Sequence, residues 1–268
     1  MPSLHLPEVK SIIVLGIPYV PSEDNFSILA EPGEPYIGLI SSIALSPDYH
    51  RTAMKLLNEL IKRISPLNYK ILVDSGGLVE REWAVKAGLG FWGKNCCVIS
   101  PSKGSFFNIG LLLTNLNLQA TQYLQTAPAS NYQDCGACTK CIDACPGKAL
   151  TPFRLNYKNC VSYITQKSGT LSAEEQDKMG RWVYGCDVCQ RVCPYNDAVS
   201  IFAHGSCKDV DQKAAAYSIY QEVSLPKLIN MTEEEFNRIY GQRVMAWKGI
   251  QILKRNAHIV YKTVYSWR

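Results

Sequence analysis

Short apolar runs and one long amphipathic stretch divide the first part of the chain. SIIVLGIPY (11–19) is apolar at nearly every position, the pattern of a buried strand. YKILV (69–73), CCVIS (96–100) and FFNIGLLLT (106–114) read the same way. Between the first two runs, PDYHRTAMKLLNELIKRI (47–64) places Ala53, Met54, Leu57, Leu60, Ile61 and Ile64 on one stripe of helical period. Ser46-Pro47 opens this helix, with Pro at the first helical position, where its missing N–H costs nothing. VEREWAVKA (79–87) predicts a second helix, ended by Gly88.

Strands alternating with helices argue an α/β or α+β first domain, from residue 1 to about 117. LQATQYLQTAPASNYQ (118–133) is a polar linker into a cysteine-rich segment that runs to about 205. Thr232 with Glu235 forms a capping box that starts a helical segment within the last part, 206–268. The fold class expected is therefore α+β, in three consecutive segments.

The middle segment carries the strongest chemical signal. CGACTKCIDACP (135–146) has the C-x2-C-x2-C-x3-C-P spacing of bacterial ferredoxins, in which the fourth Cys serves the other of two [4Fe–4S] clusters. GCDVCQRVCPYN (185–196) supplies three more cysteines. By that crossing rule, Cys135, Cys138 and Cys141 take Cys193 as fourth ligand. Cys145 joins Cys186 and Cys189, and the nearest free candidate to complete that set is Cys160. Zinc also uses paired CxxC motifs, but it leaves the four-cysteine run and both Cys-Pro endings unexplained. Disulfide scaffolds are short and secreted, whereas this chain has 268 residues. Cys96 and Cys97 sit in an apolar run and read as small core residues; Cys207 is unassigned.

Composition narrows the setting. The N-terminal MPSLHLPEVK has no signal-peptide centre, and no run approaches the ~18 apolar residues of a membrane span. Clusters and free thiols fit a reducing cytoplasm. The net charge of +5 is mild but unevenly placed. From Phe236 to Arg268 there is no Asp or Glu, while Arg238, Arg243, Lys248, Lys254, Arg255, Lys262 and Arg268 alternate with aromatics. Such a tail meets phosphates and bases, or is an ordinary helical end with solvated cations; the sequence does not separate the two. GLGFWG (88–93) matches G-x-G-x-x-G but follows a helix instead of a strand, which argues against a dinucleotide site. In VDSGGLVER (73–81), Asp74 follows a strand and precedes Gly76-Gly77. There it either caps a turn or points into a pocket as a proton donor.

The motifs DYH, VDSG–L–ER, AGLG–GKN, CGACTKCIDACP, NCVSYIT and YGCDVCQRVCPYN, in this order, resemble the epoxyqueuosine reductases, from about Ser11 to Tyr261. The resemblance implies an α/β domain holding cobalamin in the base-off form, beside two [4Fe–4S] clusters. It implies reduction of epoxyqueuosine to queuosine in tRNA, with electrons from an external low-potential donor. Asp74 matches the family's proton donor and Asp48 a second acidic position near the substrate. Ser41, Val98, Ile109 and Ser162, with Asp74, fall where the family contacts the corrin. The ligand set Cys135, Cys138, Cys141, Cys193 and Cys145, Cys160, Cys186, Cys189 agrees. The chain stops near ILKRNAHIVYK, where the family continues into helical repeats that hold tRNA, so tRNA binding is expected to be weakened. Two other functions fit the same clusters: a corrinoid-dependent reductase of a smaller substrate, and a two-cluster electron-transfer protein without cobalamin.

Overall fold

The computed structural model describes residues 1–19, 27–74, 76–119, 134–196 and 221–265. In chain order its strands are β1 (Ser11–Pro18), β2 (Ile37–Ile40), β3 (Tyr69–Leu72), β4 (Phe91–Trp92), β5 (Val98–Ile99), β6 (Phe107–Thr114), β7 (Leu150–Thr151), β8 (Arg154–Leu155), β9 (Trp182–Tyr184) and β10 (Gln221–Ser224). One sheet has the order β1-β6-β3, with β6 antiparallel to both neighbours. The result is a mixed α and β fold.

The central strand β6 explains its own sequence. Leu111, Leu112 and Leu113 are all fully buried, because both faces of the sheet are covered. One face packs Leu6, Leu72, Leu111 and Leu113 with Ile12, Val14 and Trp83. The other receives helix α1 (Tyr49–Ile64), whose Ala53 and Leu57 lie against Gly110. The helix thus sits on a narrow face. Met54, on the stripe expected to be buried, is exposed.

Helix α1 begins two residues later than Pro47 would place it. Asp48 is the N-cap, its carboxylate accepting from the His50 N–H at 2.9 Å. Pro47 is instead held in a bridge to Arg243. Helix α2 (Glu80–Lys86) follows as the sequence implies, and Gly88 takes a positive φ of 77° just beyond it. Of the box at Thr232, the Thr232 hydroxyl accepts from the Glu235 N–H at 3.1 Å at the start of the helix Glu233–Tyr240.

The second sheet, order β10-β2-β9, takes one strand from each of the three segments of the chain. Strand β2 pairs antiparallel with β10 and parallel with β9. Its apolar side belongs to a large core that includes Ile28, Ile40, Leu45, Ile164, Val183, Phe236, Leu253 and Val260. Buried Asn256 ties this core together, its amide donating to the carbonyls of Thr165 at 2.6 Å and Val183 at 2.7 Å. The cysteine-rich segment is therefore packed between residues that come before and after it.

Candidate functional site: two thiol sets and an adjoining cleft

Cys135, Cys138 and Cys141 lie on a loop running into the short helix Lys140–Asp143, and Cys193 follows the short helix Val188–Arg191. All four line one cavity of about 320 Å3, with Lys94, Asn95, Ile99 and Tyr195. Gly136 permits the tight loop with its positive φ of 46°. The Lys94 backbone N–H points at the Cys135 Sγ at 3.3 Å, and its ammonium donates to the carbonyls of Gly136 at 2.6 Å and Cys138 at 3.0 Å. Burial, and the charges of Cys135 and Cys193, push the Cys141 thiol up.

The second set is assembled the same way. Cys145, Cys160 and Cys189 share an apolar cluster with Ala149, Leu150 and Cys96. Cys186 stands close enough to feel Cys160 and Cys145; burial is the main reason its thiol is pushed up to about 12. Burial also raises the Cys189 thiol well above its ordinary range. The Ala149 N–H donates to the Cys145 Sγ at 3.3 Å. Gly147 makes the juxtaposition possible, since any Cβ there would strike the Asn159 carbonyl just before Cys160.

The donor chemistry of both sets fits iron–sulfur clusters. Buried thiols that repel one another as thiolates need cations to ionise. Backbone N–H groups aimed at sulfur are the contacts that tune such clusters. Among the described residues, no three His, Cys, Asp or Glu side chains converge as they would around a single metal ion. Four thiols held apart around a volume instead match a polynuclear group.

A larger cleft of about 550 Å3 adjoins the sets. Tyr19, Tyr49, Asp74, Arg81, Cys97, Val98, Asn108, Ile109 and Gln190 line it. Asp74 has a positive φ of 52°, an uncommon conformation for a side chain other than Gly and one that costs energy to hold. The Tyr49 hydroxyl donates to its Oδ2 at 2.6 Å. Burial first, then that bond, push the Tyr49 phenol well up, so it remains a donor. Tyr49 stacks on His50 with ring centroids 4.2 Å apart, and the His50 Nδ1 lies 3.0 Å from Asp48 Oδ1. The cleft and the thiols meet at Lys94-Asn95-Cys96-Cys97. Asn95 donates to the Cys189 carbonyl at 3.2 Å and accepts from the Cys97 N–H at 3.1 Å. Cys97, pushed up to about 12 mainly by burial, lies near both Cys189 and Cys193.

Of the residues singled out from sequence, Asp74, Val98 and Ile109 come together on the cleft wall. Ser41 and Ser162 sit to one side of it. Ser41 donates its N–H to the Tyr184 carbonyl at 2.8 Å, while its buried Oγ finds no hydrogen-bond partner among the described residues. The Ser162 carbonyl accepts from Gln166 Nε2 at 3.0 Å. Asp48 is occupied as helix cap and partner of His50. Cys96 and Cys97 are half-buried beside the functional groups, not inside the core. Cys207 lies outside the described residues. Sequence reasoning passed over Tyr49, Tyr19 and Arg81. Tyr49 stood in the DYH motif, but nothing in the sequence paired it with Asp74. Asp187 was also missed. It is buried between Cys186 and Cys189, and accepts from both the N–H and hydroxyl of Ser42, which joins the cluster segment to the end of β2.

One cation of the basic tail is turned toward the protein. In the helix Ile250–Val260, the Arg255 guanidinium donates to the carbonyls of Lys167 at 2.7 Å and Gly169 at 2.5 Å, and burial lowers its pKa. That cation is committed to protein carbonyls.

Comparison with known proteins gives a consistent picture. Residues 134–196 match the model of a 4Fe-4S double cluster binding domain. Residues 1–75 match the model described as Epoxyqueuosine reductase QueG, DUF1730. The epoxyqueuosine reductase of Lactococcus garvieae (strain Lg2) is 35% identical over 266 residues, covering 97% of this chain and 70% of that protein. The solved epoxyqueuosine reductase from Streptococcus thermophilus superposes with a TM-score of 0.78 at 32% identity, covering 97% of this chain and 66% of the other. A crystal structure of epoxyqueuosine reductase with a tRNA-Tyr epoxyqueuosine-modified stem loop gives 0.78 at 30%, with the same coverage. The chain thus spans about two thirds of the length of these proteins.

Proposed function

The chain belongs to the epoxyqueuosine reductase family, and from that premise we propose that it reduces epoxyqueuosine to queuosine in tRNA. The observation that carries this reading is the contact of the Asp74 cleft with both thiol sets through Asn95 and Cys97. A proton donor and a source of electrons face one space.

In this reading Cys135, Cys138, Cys141 and Cys193 hold one [4Fe–4S] cluster, and Cys145, Cys160, Cys186 and Cys189 the other. The cleft would take a cobalamin. Glu80, on its wall, has a buried Oε1 with no partner among the described residues, which a polar ligand in the cleft would satisfy. Val98 and Ile109 on the wall would contact the corrin, with Ser41 and Ser162 beyond the wall completing the set the family resemblance implies. The corrinoid, when bound, supplies a strongly reducing centre fed one electron at a time by the clusters.

The chain's own residues do the rest. Removing the epoxide oxygen as water breaks two C–O bonds, restores a C=C bond and consumes two electrons and two protons. Asp74 delivers a proton to the departing oxygen. Tyr49 fixes the orientation of that carboxyl by donating to its Oδ2 at 2.6 Å. Asp74 is exposed, so solvent reloads it between turnovers. Asp48 acts at one remove, by holding His50 beneath Tyr49. An external low-potential donor reaches the first cluster where Gly136 and Ala137 are exposed. Among the described residues no helix is long and apolar enough to cross a membrane, and ligand thiols of this kind are in keeping with a reducing cytoplasm.

The test is anaerobic turnover. Protein loaded with iron, sulfide and cobalamin, given a chemical reductant and an epoxyqueuosine-bearing stem loop, should yield a nucleoside lighter by one oxygen. Fully loaded protein that reduces a small epoxide but not the stem loop would overturn the proposal.

A further inference from the structure

The fold engages Arg255 with backbone carbonyls, but it leaves a different group exposed on the segment tied to the start of α1, where Tyr49 reaches the cleft. Trp247 is 65% exposed, yet its ring is fixed. The indole N–H donates to the Tyr184 hydroxyl at 2.9 Å and lies 3.2 Å from Gln166 Oε1. The segment before it is tied to the start of α1. Val244 N–H donates to the Ser46 carbonyl, and Asp48 N–H to that of Gln242, both at 3.0 Å. Tyr184 in turn stands close enough to Tyr49 to act on its phenol.

The row continues away from the cleft. Gln166 is one helical turn from Tyr163 on the helix Val161–Gln166. Tyr163 packs edge-on against Tyr157, with centroids 4.9 Å apart. Both rings are exposed, at 44% and 51%. Residues 144–173 contain no Asp or Glu, and neither does the chain beyond 235. Lys248 lies 3.7 Å from the Trp247 ring centroid, and Lys158 is exposed beside Tyr157. The acids that follow, Glu174 and Glu175, are paired with Lys178 at 2.6 Å and Lys167 at 2.7 Å.

Exposed aromatic rings cost solvation and fit no duplex, whose base faces are hidden. They fit unpaired bases, which stack on such rings while neighbouring cations meet the phosphates. We propose that Trp247, Tyr163 and Tyr157 form a stacking row for the unpaired bases that flank the nucleoside seated in the cleft. This rests on the tRNA-substrate reading and deepens it. The partner is single-stranded RNA leaving the cleft across the cluster segment.

The experiment measures binding of loaded protein to a labelled anticodon stem loop and to a fully paired hairpin of equal length, at one fixed salt concentration. The parent should prefer the stem loop. Trp247→Ala and Tyr163→Ala should each weaken it by roughly 5- to 100-fold, with hairpin affinity and iron content unchanged. Trp247→Phe keeps a ring and should retain most of the affinity. If Trp247→Ala loses iron, Tyr157→Ala with Tyr163→Ala carries the test, since both rings are at the surface. A parent that binds the stem loop while the Tyr variants bind it equally well would overturn the row alone. A parent that binds neither RNA overturns the tRNA reading as well.

Discussion

The cluster segment and the Asp74 cleft lie side by side but are built on opposite principles. In the cluster segment, seven of the eight proposed ligands come from two short motifs, and local spacing positions them. The cleft draws Tyr19 from the end of β1, Tyr49 from the start of α1, Asp74 from the end of β3 and Ile109 from β6. Local spacing makes the first site robust to changes elsewhere. The second exists only when the sheet β1-β6-β3 is formed and α1 is seated on it. One consequence is that damage to the two sites should separate cleanly.

The largest separation should come from the thiols. Cys193→Ser removes the ligand that the second motif lends to the first set, and Cys160→Ala removes the one that lies outside both motifs. Each should lose about half the iron of the roughly eight atoms two four-iron clusters contain. Cys96→Ala should keep all of it, although Cys96 packs beside the second set. Iron lost equally in all three variants would erase the distinction between ligand and neighbour.

Next in size is the acid. Asp74→Asn preserves shape but has no proton to give, and loss of a general acid typically costs ~10²–10⁴ in rate. Iron content and corrinoid retention should be unchanged. Turnover near that of the parent would return Asp74 to a turn residue. Tyr49→Phe should cost less, about tenfold, since it removes one hydrogen bond that orients an exposed carboxyl. A loss as large as that of Asp74→Asn would make Tyr49 a proton carrier, not a positioning residue.

The smallest effect is on stability. Glu175 closes a capping box with Ser172 and pairs with Lys167, and those bonds lower its pKa. A lowered carboxylate contributes stability above its ordinary range, and that stability is lost as pH falls through the folded value. Glu175→Gln keeps the box but loses the ion pair, so it should cost roughly 0.2–1 kcal/mol at neutral pH, a cost that shrinks as pH falls below the ordinary carboxylate range. A difference that persists at low pH would point to packing instead of charge.

The same contrast explains what the sequence made legible. The cysteine grouping was readable because ligand spacing is a property of the local chain. Strands β1, β3 and β6 were readable as apolar runs, and α1 from its helical period. The sheet β10-β2-β9 was not, because IGLI, WVY and QEVS are too short to carry a pattern and become strands only by pairing with one another. CCVIS reads as a strand from its first residue, but Cys96 has a φ of 65°, so only Val98 and Ile99 are extended. That one turn moves Cys97 out of the core and onto the cleft wall. The engagement of Arg255 was equally invisible, since its partners are carbonyls 88 and 86 positions away in sequence. Asp74 could be placed at a strand end by pattern. Its role came from the family resemblance, and its link to Tyr49 from the fold.

The central claim is that the cleft beside the two thiol sets holds a corrinoid. It is tested most directly by passing anaerobically reconstituted protein, incubated with cobalamin, through a size-exclusion column and reading the visible spectrum of the protein peak. A base-off corrinoid should co-elute with the chain in about equimolar amount, alongside about eight iron atoms. A peak with its full complement of iron and no corrinoid would contradict it, and would leave the chain a two-cluster electron carrier.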